Sequence, residues 1–410
     1  MNLLKTDTYE LIPVTRSTPR YAILSHRWET EEIEFERMRT LKPSSLRNPS
    51  FPFIPPSLRA SAAKIRGACA IAQQQRIGYI WIDTCCIERT QSEPLAIALN
   101  SMFKWYQNAE VCYTFLNDVT YFNSNDKVFM SDRSDRRGQA SEWFGRGWTL
   151  QELLAPRKMQ FYDKRWKFMG TRNEHAMLID KITGIGLEFL TGKRPLSDAS
   201  CAMKMSWMAG RVTMQVEDVA YSLLGIFGIH MVPAYGEGTR AFRRLQDAIM
   251  AINGPFDESL FAWERPQDCI LRCYWNHPRV RNFDHNQWGL LAPSPDCFKR
   301  SGNICVRKNL VNMRPAGGFR RSHQGIFFAM PSKEVNHMFG RPRNKINLPL
   351  NCWRLLNGET LEAIVLRLSR GADGIIYRTQ LQNVSSQKGV KVGSRGSAVI
   401  AVALPQIAQY

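Results

Sequence analysis

Short apolar runs alternate with longer segments of helical spacing in the first half of the chain. Residues 21–25, 79–82, 111–116 and 159–162 form apolar runs that are typical of buried strands. Between them, apolar side chains recur every three or four residues, as they do on one face of a helix. Strands separated by helices of this length favour a parallel sheet with helices on its faces. The pattern predicts an α/β fold: a three-layer core with a short parallel sheet.

The pattern changes twice further along the chain. Residues 166–262 have mainly helical spacing, and short β-type runs with turn signals follow, for example at 325–329 and 363–368. We therefore expect a core α/β domain over residues 1–165, then a helical extension, and a small, basic β-rich region over 263–410.

Composition narrows the class of protein. The chain has 410 residues, of which 44% are hydrophobic and 11% aromatic, enough for a well-packed globular core. No apolar stretch approaches the roughly 18 to 20 residues that span a bilayer, and no secretory signal is visible. Ten cysteines without regular spacing are typical of reduced thiols in the cytosol. We expect a cytoplasmic protein without a membrane span.

The net charge of +19 is unevenly distributed. From Trp263 onward there are 22 Lys and Arg against 8 Asp and Glu, so most of the charge lies in the C-terminal third. Such a surface can meet nucleic acid, an anionic membrane or an acidic partner domain. Because the basic residues are scattered and no nucleic-acid-binding module is recognisable, we interpret it as a solvated basic surface and expect no nucleic-acid partner.

Three sequence blocks carry a resemblance to a known family. They are YAILSHRWE (residues 21–29), GYIWIDTCCIE (78–88) and RGWTLQELLAPRKMQFYDKRW (146–166). Their order and spacing resemble the signature of the fungal heterokaryon-incompatibility (HET) domain, most strongly over residues 1–300. The resemblance implies a protein of fungal innate immunity, in which non-self recognition triggers programmed cell death. It also implies self-association and a cell-death partner such as an NLR-type signalling protein.

The HET family is remotely similar to TIR domains, and two features carry that likeness here. A serine-containing loop ends the first strand at Ser25 and His26, and a Trp-x-x-x-Glu-Leu string runs from Trp148 to Leu153. In the TIR domains that cleave NAD, the glutamate of this string is catalytic. The resemblance therefore implies a flavodoxin-like, TIR-like core and a candidate NAD glycohydrolase with Glu152 as the catalytic residue. NAD would be its substrate, and no cofactor would be required.

Glu152 has two interpretations. Cleavage of the nicotinamide–ribose bond passes through an oxocarbenium-like transition state, which a nearby carboxylate can stabilise. Nicotinamide departs neutral, so no strong general acid is needed. Alternatively, Thr149 caps a helix and Glu152 bonds back to its backbone N–H, a capping box that contributes about 1 kcal/mol. The sequence leaves both interpretations open.

The other candidate binding residues follow the first two predicted strands, where a parallel sheet places ligand-binding loops. They are Ser25, His26, Arg27, Trp28 and Asp83. Trp28 could stack on an adenine or nicotinamide ring, Arg27 could bind a pyrophosphate, and Asp83 could bond to ribose hydroxyls. The alternatives are that Trp28 packs on the domain, while His26 and Asp83 serve turns.

Two residues next to the catalytic candidate complete the predicted site. Arg146 and Trp148 lie in the turn before Glu152. Arg146 could pair with a phosphate, although the sequence favours a structural ion pair.

Cysteine patterns suggest two further kinds of chemistry. Cys85 and Cys86 could supply a nucleophile, but such a residue needs a histidine base, and the first 170 residues contain a single histidine. Cys269, Cys273 and His277 have helical spacing, but a proline follows them and a fourth zinc ligand is missing. We expect neither covalent catalysis nor a metal site.

Overall fold

The computed structural model describes residues 1–15, 17–47, 54–121, 127–252, 257–264, 290–306, 319–322, 325–331, 345–356, 360–370, 376–378 and 397–402. The chain divides into two units. The first comprises residues 1–194 and 211–234, and the second comprises residues 195–210 and 235–410.

Strands and helices alternate along the first unit; all labels here are numbered in chain order through both units. The described strands are β1 (Asn2–Lys5), β2 (Leu11–Pro13), β3 (Ala22–His26), β4 (Tyr79–Ile82), β5 (Val111–Leu116), β6 (Met159–Asp163) and β7 (Phe168–Thr171). The described helices are α1 (Phe35–Thr40), α2 (Pro43–Arg47), α3 (Arg59–Gln74), α4 (Asp83–Cys86), α5 (Ser92–Asn108), α6 (Thr149–Leu154), α7 (Ala176–Thr183), α8 (Leu187–Leu190), α10 (Asp218–Tyr221) and α11 (Leu224–Phe227).

These strands form one sheet in the order β2-β1-β4-β3-β5-β6-β7. The four central strands, β4-β3-β5-β6, are parallel, which confirms the α/β prediction. Antiparallel pairs extend the sheet at both sides. Strands β1, β2 and β7 were not predicted from the sequence. The apolar runs of β1 and β2 are very short, and β7 lies in the stretch 166–262, for which helical structure was expected. Both β3 and β5 are buried along their whole length, which explains why they read as continuous apolar runs.

The order of the parallel strands explains the layering. In sequence order the four strands lie 2-1-3-4 across the sheet, as in flavodoxin-like folds. Right-handed crossovers then place α3 on one face of the sheet and α5 and α6 on the other. The strand order reverses between β3 and β5, so the carboxyl ends of these strands are where such folds bind ligands.

Helix α3 has the predicted apolar face but not the predicted polar one. Ala62, Ile65 and Cys69 are buried as expected. Lys64, which the spacing places among the polar residues, is also buried, and its ammonium group forms an ion pair with Glu32. A lysine takes this position because a buried carboxylate satisfies its charge.

The second unit contains the predicted β-rich region. Its described elements are α9 (Cys201–Met208), α12 (Arg240–Ile252), β8 (Ile304–Cys305), β9 (Phe319–Ser322), β10 (Gly325–Pro331), β11 (Lys345–Leu356), β12 (Thr360–Arg370), β13 (Ile376–Arg378) and β14 (Ser397–Val402). The strands form antiparallel sheets of order β14-β10-β9 and β13-β12-β11-β8. In the described part of the chain, no helix is long and apolar enough to cross a membrane.

Candidate functional site

The carboxyl ends of two neighbouring parallel strands bring the predicted site residues to one level. In the β3–β4 pair, Leu24 lies opposite Ile82. The next residues are Ser25 on β3 and Asp83, which begins α4. Both therefore lie at the sheet edge where strand order predicts a ligand site.

Glu152 lies against the serine of this edge. The Ser25 hydroxyl donates a hydrogen bond of 2.5 Å to Glu152 Oε2, and the indole N–H of Trp143 donates to Ser25 Oγ at 2.9 Å. The phenol of Tyr106 donates to the Leu24 carbonyl at 2.9 Å and also lies within hydrogen-bonding reach of Glu152. The 127 residues between Ser25 and Glu152 hide this contact in the sequence.

The expected capping box is absent. Helical backbone angles begin at Trp148, and the Thr149 hydroxyl donates to the carbonyls of Trp143 and Arg146 at 2.6 and 2.9 Å. Thr149 is thus inside the helix and caps nothing, while the Glu152 carboxylate faces Ser25. The capping interpretation of Glu152 is therefore wrong.

Burial makes Glu152 an unusually weak acid. The residue is only 5% exposed. Burial, and secondarily the negative charge of Asp83, raise the pKa of Glu152 to about 8, against the opposing effects of Ser25 and Arg146. The pKa of Asp83 is also raised, chiefly by burial. Two neighbouring carboxyl groups with raised pKa values are an arrangement that enzymes use for acid–base and electrostatic catalysis.

Trp28 and Arg89 cover one side of Asp83. The Trp28 indole N–H donates to Asp83 Oδ2 at 2.7 Å. The Arg89 guanidinium carbon lies 4.0 Å from the centre of the Trp28 ring, and Arg89 Nη2 lies 3.9 Å from Asp83 Oδ2. One face of the Trp28 ring is therefore occupied by Arg89, which the sequence analysis did not select. Stacking of the half-buried Trp28 on a base remains a prediction.

His26 lies between two carboxylates. Its ring nitrogens are 3.8 Å from Glu32 Oε1 and 3.6 Å from Asp83 Oδ1, and neither makes a hydrogen bond within the described residues. Burial, and then the positive charges of Lys64 and Arg146, hold the pKa of His26 well below its usual value, so the imidazole is neutral. His26 does not cap a turn; it lines the cluster behind Asp83.

The two predicted arginines behave differently. Arg27 Nη1 lies 2.6 Å from Glu142 Oε2, so this guanidinium is already paired. The Arg146 guanidinium is half-buried and makes neither an ion pair nor a hydrogen bond with any residue that the structure describes. The structural ion pair favoured for Arg146 is therefore not formed there. Trp148 is half-buried directly before α6.

The Cys85–Cys86 pair is poorly suited to nucleophilic chemistry. Both cysteines are buried, and the hydrogen bond with the Cys86 thiol, followed by burial, raises the pKa of Cys85 well above its usual value. A thiol with a raised pKa is a poor nucleophile. Cys269, Cys273 and His277 lie outside the described residues. Among the described residues, no group of histidines, cysteines and carboxylates is arranged to hold a metal ion.

Several residues of the cluster escaped sequence reasoning. Each of them is a polar or aromatic residue that lies in the apolar face of a helix or in a charged loop, and this position is the sequence feature they share. They are Glu32, Lys64, Arg89, Tyr106, Trp143 and Arg211. Trp143 lies three residues before the block 146–166 that resembles the HET signature, and this position was the one clue that the sequence offered for it.

Comparisons with known proteins identify the first unit. The family model "Heterokaryon incompatibility protein (HET)" matches residues 21–139, which include Ser25, His26, Arg27, Trp28 and Asp83. Residues 21–139 thus form a heterokaryon incompatibility domain. Arg146, Trp148 and Glu152 lie after the matched segment. A "Domain of unknown function (DUF8212)" matches residues 240–335 in the second unit.

A relative supports this assignment. The chain is 37% identical over 265 residues to "Vegetative incompatibility protein HET-E-1" of Podospora anserina. The similar stretch covers 61% of this chain but only 18% of that protein, so the chain spans less than a fifth of its relative's length. No solved structure matches.

Proposed function

We propose that the chain acts in heterokaryon incompatibility and triggers programmed cell death by hydrolysing NAD. The match to the HET family model and the relative's name support the incompatibility role. The hydrogen bond from Ser25 to the buried Glu152, beside Asp83, carries the enzymatic part. The activity belongs to the cytoplasm, where NAD is abundant, and depends on self-association of the domain.

The site residues divide the reaction between them. When the bond between ribose C1′ and the pyridine nitrogen breaks, both electrons stay on that nitrogen and nicotinamide leaves neutral. The Glu152 carboxylate stabilises the positive charge that develops on the ribose. Water then adds to C1′, and its proton passes through Asp83 or Glu152 to solvent. The products are nicotinamide, ADP-ribose and one proton.

Ser25 and Trp143 hold the carboxylate for this task. The chain of hydrogen bonds from the Trp143 indole to the Ser25 hydroxyl and on to Glu152 fixes one carboxylate oxygen. Because both donors are buried, they need no reorganisation when charge develops. Asp83, whose side chain is 15% exposed, lies nearer to solvent and is suited to contact ribose hydroxyls and the incoming water.

Induced expression in a fungal host tests the proposal. Wild type, Glu152→Gln and the exposed control Glu31→Gln are expressed to equal levels, and NAD and viability are followed together. We expect NAD to fall before death with wild type and Glu31→Gln. Glu152→Gln, confirmed as folded by circular dichroism, should leave both NAD and viability unchanged.

Equal killing by all three proteins, with NAD falling only after death, would overturn the enzymatic proposal. The chain would then act as a non-catalytic module that signals death through contacts with itself or a partner. Surface substitutions that abolish self-association would in that case remove toxicity.

A further inference from the structure

Three arginines converge on one carboxylate in the turn that carries Trp143. Guanidinium nitrogens of Arg27, Arg133 and Arg136 lie 2.6, 3.4 and 3.5 Å from the oxygens of Glu142. Arg133 also pairs with Asp135 at 3.1 Å. Three guanidiniums thus contact two carboxylates, and Asp118, which accepts a hydrogen bond from the Glu142 backbone N–H, adds a third carboxylate beside them.

Arg146 adds a fourth guanidinium to this turn. It follows Glu142 by four residues, and within the described residues its guanidinium has no hydrogen-bond or ion-pair partner. Burial and then the positive charge of Arg27 lower the pKa of Arg146. Arg136 is half-buried as well, and its Nε atom is buried without a hydrogen bond in the described part of the chain. The charges of Arg146 and Arg136 therefore lie partly out of water, where an unpartnered polar group is costly.

The backbone of Arg146 is held firmly beside Glu152. Its neighbours on both sides hydrogen-bond with Val212, which forms a parallel bridge with Arg146. The Arg146 carbonyl accepts from Arg211 Nη1 at 3.0 Å and from Thr149 Oγ1 at 2.9 Å. Thr149 is the first residue of α6, the helix that carries Glu152. The turn therefore fixes the backbone from which the Arg146 side chain extends, and the charge of this side chain acts on the Glu152 carboxylate.

We propose that Arg27, Arg136 and Arg146, here called the arginine rim, bind the phosphoryl groups of a ribosyl substrate. Guanidinium groups recognise phosphate oxygens through paired, charge-assisted hydrogen bonds. A pyrophosphate would provide acceptors for the unpartnered Arg136 Nε atom and for the Arg146 guanidinium. The rim then selects phosphorylated nucleotides over nucleosides, while Glu152 acts on the glycosidic bond. The action of Glu152 on the glycosidic bond rests on the proposed function, whereas phosphate binding by the arginine rim does not.

Calorimetric titration of the full chain with inorganic pyrophosphate tests the anion site without any turnover. We expect binding that weakens as salt increases. Arg146→Gln and Arg136→Gln should each weaken it about 10- to 100-fold, the loss typical of a charge-assisted contact. The exposed control Arg137→Gln should bind as wild type does. Equal affinity of wild type and Arg146→Gln, or no binding by wild type at millimolar pyrophosphate, would overturn the proposal.

A substrate series separates this proposal from the enzymatic one. Nicotinamide riboside, nicotinamide mononucleotide and NAD carry no, one and two phosphoryl groups. Arg146→Gln should raise KM for the two phosphorylated substrates and leave KM for the riboside unchanged. Because the loss of its charge raises the pKa of Glu152, kcat should change equally for all three substrates. Glu152→Gln should lose turnover yet retain pyrophosphate affinity. If wild type turns over none of the three while Arg146→Gln still loses pyrophosphate affinity, the proposed function fails and the arginine rim stands.

Discussion

Two buried carboxylates of the first unit lie in opposite surroundings. The Asp163 carboxylate, at the end of β6, accepts backbone N–H bonds from Tyr121, Arg165 and Lys167 at 3.1, 2.9 and 2.8 Å. The Glu152 carboxylate accepts a hydroxyl bond from Ser25, and no backbone N–H of the described residues donates to it. Although both carboxylates are buried, their roles differ. Asp163 holds the surrounding backbone in place, whereas Glu152 is itself held in place by other side chains.

The surroundings of Asp163 explain its structural role. It closes the turn that returns the chain from β6 to β7, in which Trp166 adopts a left-handed backbone with φ of 61°. This turn presses the Trp166 ring against α3, where any side-chain carbon at Gly67 would lie 2.0 Å from the indole nitrogen. Phe115 stacks on the same ring at 4.7 Å. Removing the Asp163 carboxylate would release these contacts together.

The surroundings of Glu152 indicate a chemical role and not a structural one. A buried carboxylate without backbone donors destabilises the folded protein, and natural proteins retain such groups mainly where chemistry requires them. The neighbouring His26 and Asp83 share this character, since His26 Nδ1, His26 Nε2 and Asp83 Oδ1 are buried without hydrogen bonds in the described residues.

The largest effect on stability is expected from Asp163→Ala. The substitution leaves three backbone N–H groups without their acceptor, which costs about 3 kcal/mol in the free energy of unfolding. Urea denaturation at pH 7 measures this loss. Glu152→Gln should show no loss in the same experiment, and a loss as large as that of Asp163→Ala would contradict the distinction between the two carboxylates.

The pH dependence of stability sharpens the comparison. The folded protein holds the Glu152 proton up to about pH 8, whereas the unfolded chain releases it near 4.5. Between these values the folded state binds more protons, so this group makes stability fall as pH rises. Glu152→Gln should therefore be more stable than wild type by an amount that grows by roughly 1.4 kcal/mol per pH unit towards pH 8. Denaturation at pH 5, 6.5 and 8 measures the difference, and a constant difference would contradict the raised pKa.

Ser25→Ala should produce a smaller effect, on activity. The Ser25 hydrogen bond favours the ionised form of Glu152, so its loss raises the pKa of that carboxyl further. In the pH profile of kcat/KM for NAD, the rise should therefore occur at a pH that is higher by roughly one unit. The control Ser301→Ala removes a buried hydroxyl bonded to the Ala262 carbonyl in the second unit. It should lower stability and leave the pH profile where it is.

Much of this architecture could be predicted from the sequence, because β3, β4, β5 and β6 are short apolar runs separated by helices. The carboxyl edge with Ser25 and Asp83 followed from the parallel order. The capping box was predicted wrongly because helical angles already begin at Trp148, which no sequence pattern revealed.

The remaining parts of the site depend on contacts across long stretches of chain. Trp143 is 118 residues from Ser25, and the buried ion pair of Lys64 and Glu32 joins a helix to a loop. Spacing rules describe neighbours within one helix or strand, so they cannot detect such pairs. Within the arginine rim, Arg27 and Arg146 were candidate phosphate ligands, whereas Arg136 was missed because it reads only as part of a charged loop.

The most direct test of the account is nicotinamide release from NAD by the purified full chain, measured from pH 5 to 9. We expect kcat/KM of wild type to rise with pH, to reach half of its maximum near pH 8 and to level off above that pH, as Glu152 ionises. Glu152→Gln should release nicotinamide about 1,000-fold more slowly than wild type at pH 9, the effect of losing a preorganised charge. The difference should shrink towards pH 5, where Glu152 of wild type is itself protonated, and Glu31→Gln should match wild type throughout. A folded Glu152→Gln that releases nicotinamide as fast as wild type at pH 9 would contradict the claim that this carboxylate is catalytic.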